Sequence, residues 1–209
     1  MAATGVLPWG KLKLLGKIDE GVEALQSGRG ARRAIGCLTS AADLSSLRSL
    51  NADSGDCPIW VKNISDRLPE WKTKDRTVGE LVDDNGNPIT DLPPGIAQMK
   101  SGEKWYDGEG NAYDDPLWAE AQKRLAGKKG FPATKNAKYK ASSHVETKYA
   151  VWMDNNGIKS ATVVINNNAG VCDKAQNCVE AVGYILPAGS KLTVYYPGGK
   201  KVLWGARPE

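Results

Sequence analysis

The chain has 209 residues, 41% of them hydrophobic and 25% charged, with a formal net charge of +4. This is the make-up of a soluble globular protein, long enough for one domain of ordinary size or one domain with an extra segment. It excludes a membrane protein, since no apolar run approaches the roughly 18 residues of a span, and MAATGVLPWGKLKLLGK at the start is not a conventional signal peptide.

Residues 1–65 read as a short, mainly helical upstream segment. Leu14, Ile18, Val22 and Leu25 recur at near-helical spacing, and SAADLSSLRSL offers a second short helix with Ser40 as its cap. NADSGDCP breaks that pattern, so the boundary of the main domain, 66–209, is placed after it.

From Thr77 onward the signals are those of an α/β domain. TVGELVDDNGNPITDL carries two extended runs around Asn85-Gly86, a strong hairpin signal. SGEKWYDGEGNAYDD, rich in glycine and aspartate, reads as loop. PLWAEAQKRLAG reads as a helix with Pro116 in its first turn and Gly127 near its end. A basic stretch follows, with Lys123, Arg124, Lys128, Lys129, Lys135, Lys138, Lys140 and Lys148 opposed by Glu146 alone, and with Phe131 and Tyr139 between them. Such a run attracts a phosphate backbone, and it also fits a solvated lysine-rich loop.

In HVETKYAVWMDNNG, Val145, Tyr149, Trp152 and Met153 give one apolar helical face, and Asn156-Gly157 supplies the stop. IKSATVVIN is a buried strand. CVEAVGYIL is a helix beginning at Cys178, and SKLTVYYP is a strand that turns at Gly198-Gly199 into KKVLWG. The sum is an α/β fold with a central mixed sheet flanked by helices.

The single histidine, His144, stands two residues before Glu146, and the four cysteines are Cys37, Cys57, Cys172 and Cys178. Their number permits two disulfides or a metal site with spare thiols. The element order puts His144 and Cys178 at the starts of two helices that flank one strand, with Cys172 in the loop before the second. One imidazole and two thiolates are the three ligands a catalytic zinc uses when its fourth position holds water. Glu146, at the same helix start, can then move protons for that water. Taken singly, His-x-Glu also fits a surface helix start, and Cys172 with Cys178 a short-loop disulfide.

In combination these residues resemble the zinc-dependent cytidine deaminase superfamily, whose signature is H-x-E followed by P-C-x-x-C. More narrowly, SSHVETKYAVWMDNNGIKSATVVINNNAGVC and CVEAVGYILPAGSKLTVYYPGG resemble the bacterial double-stranded-DNA cytosine deaminase toxins, and LPEWKTKDRTVGEL resembles the start of their domain. The chain departs from the signature in having five residues between the cysteines and Val171 in place of proline.

The resemblance implies a cytidine-deaminase-like fold, Zn2+ held by His144, Cys172 and Cys178, and Glu146 as the catalytic proton shuttle. The implied reaction is hydrolytic conversion of cytosine to uracil in DNA, with the base of a duplex flipped out to reach the centre. Lys138, Lys140 and Tyr139 are then expected at the substrate, with Phe131 or Trp152 as further stacking groups and Asn166, Asn167 and Asn168 presenting amides to the pocket. The same residues have plainer uses: Tyr149 and Trp152 in the core, and the three asparagines in a turn. The family also implies a monomeric toxin domain, delivered into the cytoplasm of a target bacterial cell as the end of a larger secreted protein, with DNA and a cognate immunity protein as partners and no membrane. Deamination of single-stranded DNA, RNA or free nucleosides, a non-catalytic zinc module that binds nucleic acid, and a metal-free disulfide domain are the competing readings.

Overall fold

A computed structural model describes residues 58–208 apart from 73–74, 94, 108, 136 and 173–175. The helices expected between residues 1 and 57, and any pairing of Cys37 with Cys57, lie outside the described residues. Twelve elements follow in order: α1 (Ile59–Ser65), β1 (Val78–Val82), β2 (Gln98–Lys100), β3 (Lys104–Tyr106), β4 (Ala112–Asp114), α2 (Pro116–Leu125), a 3-10 turn (Lys140–Ser143), α3 (Val145–Asn155), β5 (Ser160–Ile165), α4 (Cys178–Ile185), β6 (Lys191–Tyr196) and β7 (Gly199–Trp204).

Five strands form one mixed sheet in the order β2-β1-β5-β6-β7, and β3 with β4 forms a separate pair. Only β5 and β6 run parallel, because α4 carries the chain back between them; every other neighbouring pair is antiparallel. The α/β class with a mixed sheet and flanking helices is therefore as expected. One face of the sheet meets α2, α3 and α4 through a core that includes Leu81, Leu125, Val145, Tyr149, Met153, Val163, Ile185 and Leu192. The other face meets α1, where Val61 and Ile64 pack with Val78, Val82, Val164 and Tyr195. Strands buried on both faces read as continuous apolar runs, as VVI in β5 does.

Two turns depart from the expected pattern. Asp83 receives the backbone N–H groups of Asn85 and Asn87, each at 2.8 Å, so the turn at Asn85-Gly86 is present. Its return limb makes only one bridge, Val82 to Pro88, since proline has no N–H to extend a ladder. The antiparallel partner of β1 comes later, as β2. Conversely, the stretch read as loop around 104–114 is a hairpin. Asp107 there accepts from the N–H groups of Glu109 and Asn111 just as Asp83 does.

α3 is the central helix. Every residue from Val145 to Met153 is buried. A helix enclosed on all sides is positioned by its neighbours, and here α2 and α4 flank it over the sheet. Its far end is tied by Asp154, which accepts from both Arg124 and Arg207.

Candidate active site

α3 ends four residues before β5 starts and runs back along it, so the beginning of α3 lies level with the end of β5. α4 follows β5 and begins at that same edge. The carboxyl ends of strands in open α/β sheets are where ligands bind, because successive helix starts converge there.

His144 is the N-cap residue of α3, held in extended conformation by the 3-10 turn before it. Its N–H donates to Ala141 O at 3.0 Å. Cys178 opens α4, whose N-cap Asn177 accepts from Glu180 N at 2.8 Å. His144 Nδ1 lies 3.0 Å from Cys178 Sγ, and Glu146 Oε2 lies 3.8 Å from the same sulfur. The ligand atoms of His144, Glu146 and Cys178 all fall within 4.8 Å of one another. Cys172 reaches the cluster from the loop after β5: its carbonyl accepts Cys178 N–H at 3.3 Å, and its thiol hydrogen-bonds Cys178. His144, Glu146 and Cys178 thus meet at one sheet edge, and Cys172 adjoins them through Cys178.

Glu146 and Cys178 are buried, while His144 and Cys172 are partly exposed. Glu146 is only 3% exposed, and burial pushes its carboxyl above the usual range. His144 opposes that shift, while Cys172 adds to it. The hydrogen bond between Cys178 and Cys172, then burial, then Glu146 together push the Cys178 thiol well above its ordinary value. A buried carboxyl and a buried thiol that both resist ionisation in a low-dielectric pocket are what a divalent cation compensates. Zinc fits the chemistry of this donor set, an imidazole nitrogen and thiol sulfurs with a carboxyl beside them. His144, Cys172 and Cys178 would hold it, leaving Glu146 beside the remaining position.

The expected substrate contacts are placed differently from one another. Asn166 is buried, with Oδ1 accepting from Val78 N at 2.8 Å and Nδ2 donating to Pro69 O at 2.8 Å, so its amide ties β1 and the segment after α1 to the end of β5. Asn167 folds its own turn, accepting from Ala169 N and donating to Gly170 O, and Asn168 lies in that turn. Tyr139 is buried against Phe131, its hydroxyl donating to Pro132 O at 2.7 Å. Trp152 is core. Lys138 is exposed, paired with Glu103 at 2.7 Å and set over the Trp118 ring, and Lys140 is exposed at the start of the 3-10 turn.

Two supporting groups were not foreseen. Lys148 reaches Asp115 Oδ2 at 2.6 Å and also donates to Lys100 O, both in the interior. Asp115 at the same time caps α2 through Leu117 N and Trp118 N. Gly79 in β1 lets the start of α3 approach: a Cβ there would lie 2.6 Å from Val145 Cγ1. An aspartate directly before Pro-Leu-Trp is the N-cap signal that points to the first, whereas a glycine inside an apolar strand signals close backbone approach for the second.

No curated protein matches the chain. The family described as SCP1.201-like deaminase matches residues 54–206, a span that takes in α1, the whole sheet and both helix starts bearing His144 and Cys178. On a match of that extent, the chain belongs to the SCP1.201-like deaminase family.

Proposed function

We propose that the chain is a zinc-dependent cytosine deaminase that converts cytosine to uracil in DNA, double-stranded DNA foremost. The observation that carries this reading is the buried Glu146 carboxyl set 3.8 Å from Cys178 and beside His144 at a carboxyl sheet edge. Family membership supplies deamination, and the donor set supports zinc.

Zinc, when bound, supplies the Lewis acidity that lowers the pKa of water toward about 7. Glu146 takes the proton that the attacking water loses as its oxygen bonds to C4. The carboxyl gives that proton to N3, then takes the second proton from the new C4 hydroxyl and passes it to the amino group as the C4–N bond breaks, so that cytosine and water become uracil and ammonia. Burial suits this role, because a carboxyl with a raised pKa holds a proton more readily than an exposed one and can hand it on. The exposed lysines 123, 128, 129, 135 and 140 support a polyanionic substrate. By the same family likeness the domain acts as an interbacterial toxin, a monomer delivered into the cytoplasm of a target cell and neutralised there by an immunity protein.

The test is uracil release from matched double- and single-stranded DNA by the wild-type chain and Glu146→Ala, with zinc measured in both. Uracil from the wild type alone, with zinc retained in the variant, supports the reading. No uracil from either DNA, with release from RNA or cytidine, moves the activity to those substrates. Absence of zinc in active wild-type protein overturns the metal assignment.

A further inference from the structure

We infer that the β3–β4 hairpin is a stacking platform for nucleobases left unpaired next to the reacting nucleotide, in a single strand or where a duplex has opened around it, an assignment that rests on the nucleic-acid reading above. All six strand residues of this hairpin are exposed, so it contributes nothing to either core. A lone two-stranded hairpin is marginal in water, and large aromatic groups left on a surface mark interaction sites. Here Trp105, Tyr106 and Tyr113 are 45%, 54% and 44% exposed.

The rings are nonetheless held in place. Trp105 and Tyr113 face each other across the ladder and stack at 4.8 Å with 23° between planes. The Tyr113 hydroxyl donates to Asp107 Oδ2 at 3.0 Å, fixing the ring to the turn that also binds Asn111. On the opposite face Arg76 lies over Tyr106, 5.7 Å from its centroid. A flat aromatic stack with an open outer face, ordered before any ligand arrives, binds bases of any identity.

The hairpin is continuous with the site. Gly102 N, two residues before β3, donates to Ser143 O at 2.8 Å, and Ser143 is the residue before His144. Asp115 N, just after β4, donates to Glu103 O at 2.9 Å. At about 3.3 Å per strand residue, Trp105 stands roughly 10 Å from that joint, a distance of a few nucleotides. Around the root, Arg76, Lys100 and Lys140 are exposed and make no ion pair among the described residues, so cations free to meet phosphates ring the base of an aromatic platform. A strand whose cytosine enters beside Glu146 would lay its neighbouring bases on Trp105 and Tyr113.

The test uses the full chain with zinc and a short fluorescein-labelled single-stranded oligodeoxynucleotide at low salt. Binding is read by anisotropy, which needs no turnover. Trp105→Ala with Tyr113→Ala should weaken binding about tenfold or more, while Trp105→Phe with Tyr113→Phe should hold within about twofold. On the unsubstituted chain, a halogenated-pyrimidine oligonucleotide irradiated in complex should crosslink to the peptide carrying Trp105 or Tyr113, which reads the platform even if the alanine variant misfolds. Unchanged binding in the alanine variant, or crosslinks confined elsewhere, overturns the platform and leaves the hairpin to a protein partner. Uracil release by the wild type is scored separately: platform binding without uracil sinks the deaminase reading alone, and uracil with unchanged alanine-variant binding sinks the platform alone.

Discussion

His144 Nδ1 and Cys178 Sγ meet at 3.0 Å although 34 residues separate them, because each begins a helix and both helices begin at the end of β5. The contact therefore reports two things at once: the helix starts are in register, and their donors face the same point. Wild-type chain should carry about one zinc per molecule by elemental analysis. His144→Ala and Cys178→Ala should abolish tight binding, and Cys172→Ala should weaken it. Removing the metal with a chelator should lower the thermal midpoint, since an ion held only by the folded state stabilises by mass action. Equal zinc in His144→Ala would remove His144 from the ligand set.

Glu146→Gln keeps the shape of the side chain and removes its proton chemistry. Uracil formation should fall by about 100-fold to 10,000-fold with zinc retained. The metal-stripped chain gives a second reading. Burial raises the Glu146 pKa in the folded state, so the folded chain binds its proton more tightly than the unfolded one. Stability then falls as pH rises above the ordinary carboxyl range toward the raised value, because ionising the buried group costs free energy. Denaturant midpoints of the stripped chain should drop between acid and neutral pH, and Glu146→Gln should flatten that part of the decline.

The regular part of the fold was legible because its signals are local. The apolar face of Val145, Tyr149, Trp152 and Met153, the run VVI and the run CVEAVGYIL each mark an element without reference to the rest. What escaped depends on partners far along the chain. β2 pairs with β1 only after a proline-interrupted loop, and the β3–β4 hairpin was hidden by its glycines although DGEGN at 107–111 repeats the D-x-x-G-N turn pattern of DDNGN at 83–87. At the site, residue types with a strong chemical signature were readable. Asn166 and Tyr139 were not, because an amide or phenol among polar neighbours looks exposed until the backbone groups it satisfies come into place.

Lys148 and Asp115 form a buried ion pair, 2.6 Å apart, that fastens the first turns of α3 to the cap of α2. Burial lowers the Lys148 pKa, with Asp115 offsetting part of the shift. Breaking such a pair leaves a charge without its partner, so Lys148→Met should cost about 3 kcal/mol in urea unfolding. Adding Asp115→Asn should recover most of that loss, since asparagine also caps a helix and no charge remains buried. A double variant no more stable than Lys148→Met would show that the lysine matters for packing and not for charge.

Gly79 sets how closely α3 lies on the sheet. A Cβ at that position would stand 2.6 Å from Val145 Cγ1, 3.1 Å from Val163 Cγ2 and 3.2 Å from Ile165 Cγ2. All three neighbours are buried and β-branched, so none can turn aside by an easy rotamer change. Gly79→Ala must therefore lift the start of α3, and overpacking of this kind costs about 1–3 kcal/mol. Val145 lies between His144 and Glu146, so the displacement falls on both chemical groups, and Tyr149, whose hydroxyl donates to Gly79 O at 2.9 Å, moves with it. The expected outcome is weakened zinc binding in a chain that still folds, followed by competition with a zinc chelator. Unchanged zinc affinity alongside lower stability would mean that the helix start tolerates the shift, and that the loop bearing Cys172 adjusts to keep the ligands together.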